Sequence, residues 1–228
     1  MTFEGPEGAG KSTALRAVAA GLREAGHRVT ETREPGAGEV GKAIRAILLN
    51  GGELEPRAEL LLFLADRAQH VASVIEPAIE RGELLLCDRH IDSTYVYQGI
   101  ARGLEPEFVK VGNAFAAGGC VPDLTILFDL PAEVGLARLQ NPDRMDSLPL
   151  AFHQKVRQGF LDLAHDAKES SRFRILDATQ DADTVAKEAI NHILEALKTH
   201  DGKSQRLTMV TKRMSRSDYD RRDASSAS

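Results

Sequence analysis

The run Gly5-Pro6-Glu7-Gly8-Ala9-Gly10-Lys11-Ser12 fits G-x-x-x-x-G-K-[ST] without a mismatch. It constrains this chain of 228 residues more than any other stretch. Glycines let the backbone curl so that successive N–H groups point inward at phosphate oxygens, and the helix that follows adds the positive end of its dipole. Lys11 then reaches the β- and γ-phosphates, and Ser12 is placed to ligate Mg²⁺. The competing reading is a chance match in a Gly-rich turn. The flank argues against chance: Leu15, Val18, Ala19, Leu22 and Ala25 share one helical stripe, and Gly26 stops it. Ahead of the loop, only Met1 to Glu4 is available for the launching strand. A triphosphate held here has three fates: hydrolysis that drives a motion, a slow switch, or transfer to a second molecule.

Five short apolar runs alternate with amphipathic helical stretches. The expected fold is therefore α/β, a five-stranded parallel sheet with helices on both faces, of the P-loop NTPase type, with a short lid. Strands are read at Thr2 to Glu4, Arg28 to Glu31, Leu84 to Cys87, Leu124 to Leu130 and Phe173 to Leu176. A long helix begins near Arg57 with Pro56 in its first turn, and Pro77 breaks it before a short second helix ending near Gly82. Residues 1–200 form the domain. Within it, helical periodicity lapses over about 138–148 and resumes with Phe152, Val156, Phe160 and Leu163, which reads either as a lid or as an ordinary loop. From 201 to 228, seven Lys/Arg mix with four Asp and several serines, as in a flexible tail. A net charge of -5 argues against a nucleic-acid surface, and no apolar run reaches membrane-spanning length. With no signal peptide before the loop, a cytoplasmic location is expected. Cys87 and Cys120 lack CxxC spacing and carry no metal or redox reading.

In such sheets ligands bind beyond the carboxyl ends of the strands, so residues there carry the functional weight. Asp88 ends an apolar strand, where a P-loop protein places a carboxylate near Mg²⁺, and Arg89 follows at once. A plain salt bridge between the two is the alternative. Arg33 ends the second strand in the same way, so two guanidinium forks converge on one rim and imply an anionic second substrate. That favours transfer over hydrolysis, because an acceptor phosphate is already a nucleophile and needs only positioning and charge neutralisation. Phe63 and Arg67 stand four apart on one helix face, as a plate and donor for a flat base would. A core phenylalanine among leucines is the other reading.

Together, FEGPEGAGKST, Thr32-Arg33-Glu34-Pro35-Gly36, Phe63-Leu64-Ala65-Asp66-Arg67-Ala68-Gln69-His70, Cys87-Asp88-Arg89-His90 and Ser93-Thr94-Tyr95-Val96-Tyr97-Gln98-Gly99 resemble the bacterial thymidylate kinases over residues 1 to about 198. The resemblance implies Mg²⁺-dependent transfer of the γ-phosphoryl of ATP to dTMP, commonly by a homodimer. It implies ATP binding by Gly5, Pro6, Glu7, Gly8, Ala9, Gly10, Lys11, Ser12 and Thr13, and metal ligation by Ser12 and Asp88. On the acceptor side it implies Glu7, Arg33, Glu34, Phe63, Arg67, Arg89, Thr94, Tyr97 and Gln98, with Phe63 stacked on thymine, Arg67 on its carbonyl and Tyr97 set against a ribose 2′-hydroxyl. Lys11 and Arg89 would be catalytic. The loop interior holds no arginine, so the transition-state cation is expected from the lid, first Arg144 and next Arg138. Two departures stand out: Gly36-Ala37-Gly38 replaces the family's Gly-Gly-Ser/Thr, and the first strand is several residues shorter than in relatives. The short strand implies a start internal to a longer chain or a less stable protein. Kinases of other nucleotides, and a nucleotide-binding module that transfers nothing, stay open as alternatives.

Overall fold

In the computed structural model, which describes residues 1–204, every connection between successive strands contains at least one helix. The strands are β1 (Thr2–Glu4), β2 (Val29–Arg33), β3 (Leu84–Asp88), β4 (Thr125–Asp129) and β5 (Phe173–Asp177). The helices are α1 (Lys11–Glu24), α2 (Gly38–Asn50), α3 (Pro56–His70), α4 (Glu76–Glu80), α5 (Ile91–Thr94), α6 (Pro106–Ala117), α7 (Ala132–Ala137), α8 (Leu150–His165) and α9 (Ala182–Ser204). All five strands are parallel, in the order β2-β3-β1-β4-β5. The chain leaves β1 towards one edge and returns to its other side at β4, so the switch point lies at the end of β1, where the P-loop begins.

Only three residues long, β1 is still wholly buried and paired on both sides, Phe3 lying opposite Asp88 and Ile126. Phe3 stacks on Phe128, ring centroids 5.7 Å apart. On the opposite face of β4, Leu127 joins Val96, Val156, Phe160 and Phe173 in a core layer that α8 closes. Each such side chain contributes about 1.5–3 kcal/mol when fully buried, which offsets part of what the short strand forgoes. Against β3, β2 extends to Arg33 because Arg33 pairs with Asp88. The break expected at Pro77 does not occur: a π-helical segment, Val71–Ile75, joins α3 to α4, and Pro77 sits in the first turn of α4. A widened turn accommodates the missing proline N–H without ending the helix.

The described chain divides into two units, residues 1–193 and 194 onward. In the first, Val185, Ala186, Ala189 and Ile193 of α9 are buried. The second is described only as the continuation of α9 to Ser204, and the remainder of the expected tail lies outside the described residues. Among the described residues, no helix is long and apolar enough to cross a membrane.

Candidate active site

Between β1 and α1 the loop takes the shape its glycines allow. Gly8 has φ +67°, and a Cβ there would stand 2.0 Å from the Gly135 carbonyl oxygen, so only glycine lets the loop lie against α7. Lys11, the first residue of α1, donates to the carbonyls of Gly5 (3.0 Å) and Pro6 (2.6 Å). Burial, reinforced by Arg89 nearby, pushes its ammonium down to about 8 against the pull of Asp88, Glu7 and Glu4. The Ser12 hydroxyl donates to the Asp88 carboxylate at the end of β3. A strand-end acid is thus joined to the loop's serine, two hard oxygen donors at the N-terminus of a helix.

A cavity of about 320 Å³ opens beside the loop. Of the predicted residues it is lined by Glu7, Gly8, Lys11, Ser12, Arg33, Glu34, Phe63, Arg67, Asp88, Arg89, Thr94, Tyr97 and Gln98. Arg45 of α2 also faces it, a cation that no motif marked, held by its bond to the Pro35 carbonyl at 2.9 Å. Arg89 occupies the left-handed region at φ +69°, costly for a residue with a Cβ and kept only where the surroundings dictate it. Its guanidinium donates to the Gly5 carbonyl (3.0 Å), Ser93 Oγ (3.1 Å) and Glu7 (3.1 Å), and it lies 5.0 Å over the Tyr97 ring.

Glu7 accepts from Arg89, from the Tyr97 hydroxyl and from His153 Nδ1 of α8 (3.3 Å). Burial pushes its carboxyl up, but Arg89, His153, Lys11 and Tyr97 outweigh burial and bring it down to about 2. A carboxyl lowered in this way from the ordinary 4.5 stabilises the fold above pH 4.5, and the contribution is withdrawn as pH falls from 4.5 towards 2. It reaches about 3 kcal/mol. The stability gap between the wild type and Glu7→Gln, measured by urea unfolding, should therefore shrink by about 2 kcal/mol between pH 6 and pH 3, the rest being lost only nearer pH 2. An equal gap at both pH values would exclude this coupling.

Phe63 also lines the cavity, half-buried on its wall rather than sealed in the core. Arg67 is 1% exposed. Its Nε donates to Glu34 (2.9 Å), one Nη to Asn113 (2.5 Å), and the other to the His90 carbonyl (3.0 Å) and Thr94 Oγ1 (2.9 Å). A guanidinium has five N–H groups, so one remains for a ligand. Both oxygens of Glu34 are taken, by Arg67 and by the Nδ1 atoms of His70 and His90 at 2.8 Å each. Burial opposes its ionisation, yet Arg67 and His90 hold it well below the usual carboxylate range. Glu34 therefore holds Arg67 in place. Thr94, Tyr97 and Gln98 face the cavity together, Thr94 from α5 and the other two from the π-helical segment Tyr95–Ala101 that continues it.

The structure departs from the sequence reading in the segment between α7 and α8. Arg144 does not line the cavity: its Nε donates to the Leu48 carbonyl and an Nη to Glu59, both at 2.7 Å. Glu59 is wholly buried and a buried carboxylate demands cations, so it takes Arg144. Arg138 lies against the loop instead, donating to the Ala178 (3.1 Å) and Gly8 (3.4 Å) carbonyls. Besides Arg45, sequence reasoning missed Glu59, His153 and Asn113, whose partners are distant in the chain and leave no local signal. Glu4, at the end of β1, is among the strand-end residues to which the sequence gives functional weight, and the structure supplies its partners. Glu4 accepts from the His90 N–H (2.7 Å) and Ser93 Oγ (2.6 Å).

A glycine loop of the P-loop pattern at the switch point, a strand-end acid bonded to the loop's serine and a cationic cavity alongside are the features of a P-loop nucleotide phosphotransferase. The sequence profile of thymidylate kinase matches residues 3–189. Over 209 residues the chain is 46% identical to the thymidylate kinase of Nitratidesulfovibrio vulgaris, covering 86% of this chain and 92% of that one. Over 192 residues it is 50% identical to the thymidylate kinase of Deinococcus radiodurans, covering 82% and 92%. The crystal structure of thymidylate kinase from Ehrlichia chaffeensis superposes with a TM-score of 0.70 at 29% identity, over 85% of this chain and 96% of that one. The chain belongs to the thymidylate kinase family.

Proposed function

We propose that this chain transfers the γ-phosphoryl group of ATP to dTMP, giving dTDP and ADP. One observation carries the reading: a single cavity is lined both by Lys11 and Ser12 and by Phe63 and Arg67, with Arg33, Arg45 and Arg89 also on its wall. The triphosphate lies on the backbone of Gly5 to Thr13, where Lys11 exchanges the Gly5 and Pro6 carbonyls for phosphate oxygens. Arg33, Arg45 and Arg89 hold the acceptor phosphate and neutralise it, so that an anionic oxygen is presented in line with the γ-phosphorus. No general base is needed. Phe63 stacks on thymine, the free N–H of Arg67 meets its carbonyl, and Tyr97, its hydroxyl on Glu7, stands where a ribose would carry a 2′-hydroxyl. Ser12 and Asp88 fit Mg²⁺, being oxygen donors already bonded to one another, and the ion when bound neutralises the β- and γ-phosphate oxygens. Arg138, against the P-loop, is the cation for the charge on the transferred group, and Arg144 holds the segment around 138–148 to α3. A cytoplasmic location, where ATP and dTMP are at hand, belongs to the same reading.

Offering dTMP, dUMP, UMP, dCMP, AMP, GMP and thymidine with ATP and measuring ADP release tests the assignment. The fastest turnover is expected with dTMP. A flat response to dTMP beside a strong one to another acceptor would overturn it, and ATP binding without any acceptor-dependent release would favour a module that transfers nothing.

The same reading includes a homodimer. On α6, Phe108, Val111 and Phe115 recur at helical spacing, 57%, 66% and 87% exposed. An apolar stripe of that size on a surface helix is stable in water when a second copy covers it. Sedimentation should show a dimer for the wild type at micromolar concentration and a monomer for Phe115→Asp. A monomeric wild type would refute this assembly.

A further inference from the structure

Gln98 is 1% exposed on the wall of the cavity. Its Nε2 donates to Glu59 Oε1 at 3.0 Å. The same wholly buried Glu59 also accepts from Arg102 (3.0 Å) and Arg144 (2.7 Å). A carboxylate between two guanidinium groups is ionised and can only accept, which settles an amide orientation that is otherwise ambiguous. The NH₂ of Gln98 must face Glu59, so Oε1 points away from it, and among the described residues no donor meets that oxygen. Glu59, Phe63 and Arg67 follow at four-residue intervals on α3 and so share one face. The wall around Phe63 thus offers a donor that cannot accept, Arg67, and an acceptor that cannot flip to donate, Gln98 Oε1.

Pyrimidines differ in this complement. Thymine and uracil present the O4 acceptor beside the N3–H donor, whereas cytosine presents the N4 amine donor beside an N3 acceptor. We propose that Glu59 is a positioning residue that sets the class of base this site accepts. By locking the Gln98 carbonyl towards the cavity, it admits a base with a ring N–H beside a carbonyl and rejects one with the inverse pattern. The proposal rests on the reading that the acceptor's base lies over Phe63. Unpaired polar groups in a buried site discriminate strongly, which makes an amide that cannot flip more selective than one that can.

Glu59→Gln keeps the size but gives residue 59 a donor, so Gln98 can turn. The ratio of kcat/KM for dTMP over dCMP should fall at least about tenfold, while the ratio for dTMP over dUMP, which share the same edge, stays unchanged. Glu59→Asp remains an acceptor and should retain the dTMP/dCMP ratio, whereas a merely structural role would lower both substrates together in both variants. Wild-type enzyme should use N3-methyl-dTMP at least about a hundredfold less well than dTMP, an arm that needs no variant to fold. An unchanged dTMP/dCMP ratio in a cooperatively melting Glu59→Gln protein overturns the proposal. So does equal loss of the ratio in both variants, or wild-type acceptance of the N3-methyl compound. Wild-type indifference to dTMP itself overturns the assigned function as well, which separates the two failures.

Discussion

Arg89→Ala is expected to lose phosphorylation of dTMP by about 10³-fold in kcat/KM while ATP still binds. Truncating one partner of a buried charge pair costs about 2–5 kcal/mol, and each 1.36 kcal/mol is a factor of ten in rate. Arg89 is such a partner, its side chain 19% exposed and paired with a Glu7 side chain 10% exposed. ATP binding should survive because, although the loop loses the Arg89 bond to the Gly5 carbonyl, Lys11 keeps its own bonds to Gly5 and Pro6 and Glu7 keeps Tyr97 and His153. Arg89→Lys supplies the charge without the planar fork and should fall between alanine and wild type. Acceptor-dependent ADP release measures the first effect and calorimetry with ATP the second. Normal turnover of dTMP by Arg89→Ala would leave the acceptor site without its main cation and sink the assignment.

The second large effect separates two arginines only six residues apart. Arg138→Ala should lower kcat by about 10³, the scale on which an arginine supplied to a transferring phosphoryl group acts, with KM for dTMP changed only a few-fold. Arg144→Ala should leave kcat within about tenfold of wild type and instead lower the melting temperature, since it removes a charged hydrogen bond worth about 1.5–3 kcal/mol. Arg102 and Gln98 remain on Glu59 to limit the damage. Steady-state kinetics and thermal melts on the two variants decide the matter, and the opposite pattern would return the catalytic role to Arg144.

The strands were legible to within a residue or two. β2 is the clearest discrepancy: its apolar pattern stops at Glu31, yet the strand runs to Arg33 because the five residues of β3 give it partners as far as Asp88. At Pro77 the sequence signals a break, and the chain absorbs the proline with a π turn ahead of it. Phe63 had two readings because leucines surround it. Only the cavity beside it decides between a core side chain and a wall. The arginines between α7 and α8 show the limit most sharply, since Glu59, which captures Arg144, is 85 residues away and nothing near Arg144 announces it.

By itself the sequence determined where the glycine loop lies, which strand ends carry charge, and that the domain is a parallel sheet. Those features follow from glycine's freedom at positive φ, the helix dipole and hydrophobic periodicity, all of which act within a turn or two of chain. Only the tertiary structure decided which arginine meets the P-loop and which is bound by Glu59, that Arg45 joins the rim, and which way the Gln98 amide points. A buried charge takes whichever counter-charge the packed fold brings within hydrogen-bonding distance, and that distance is measured through space.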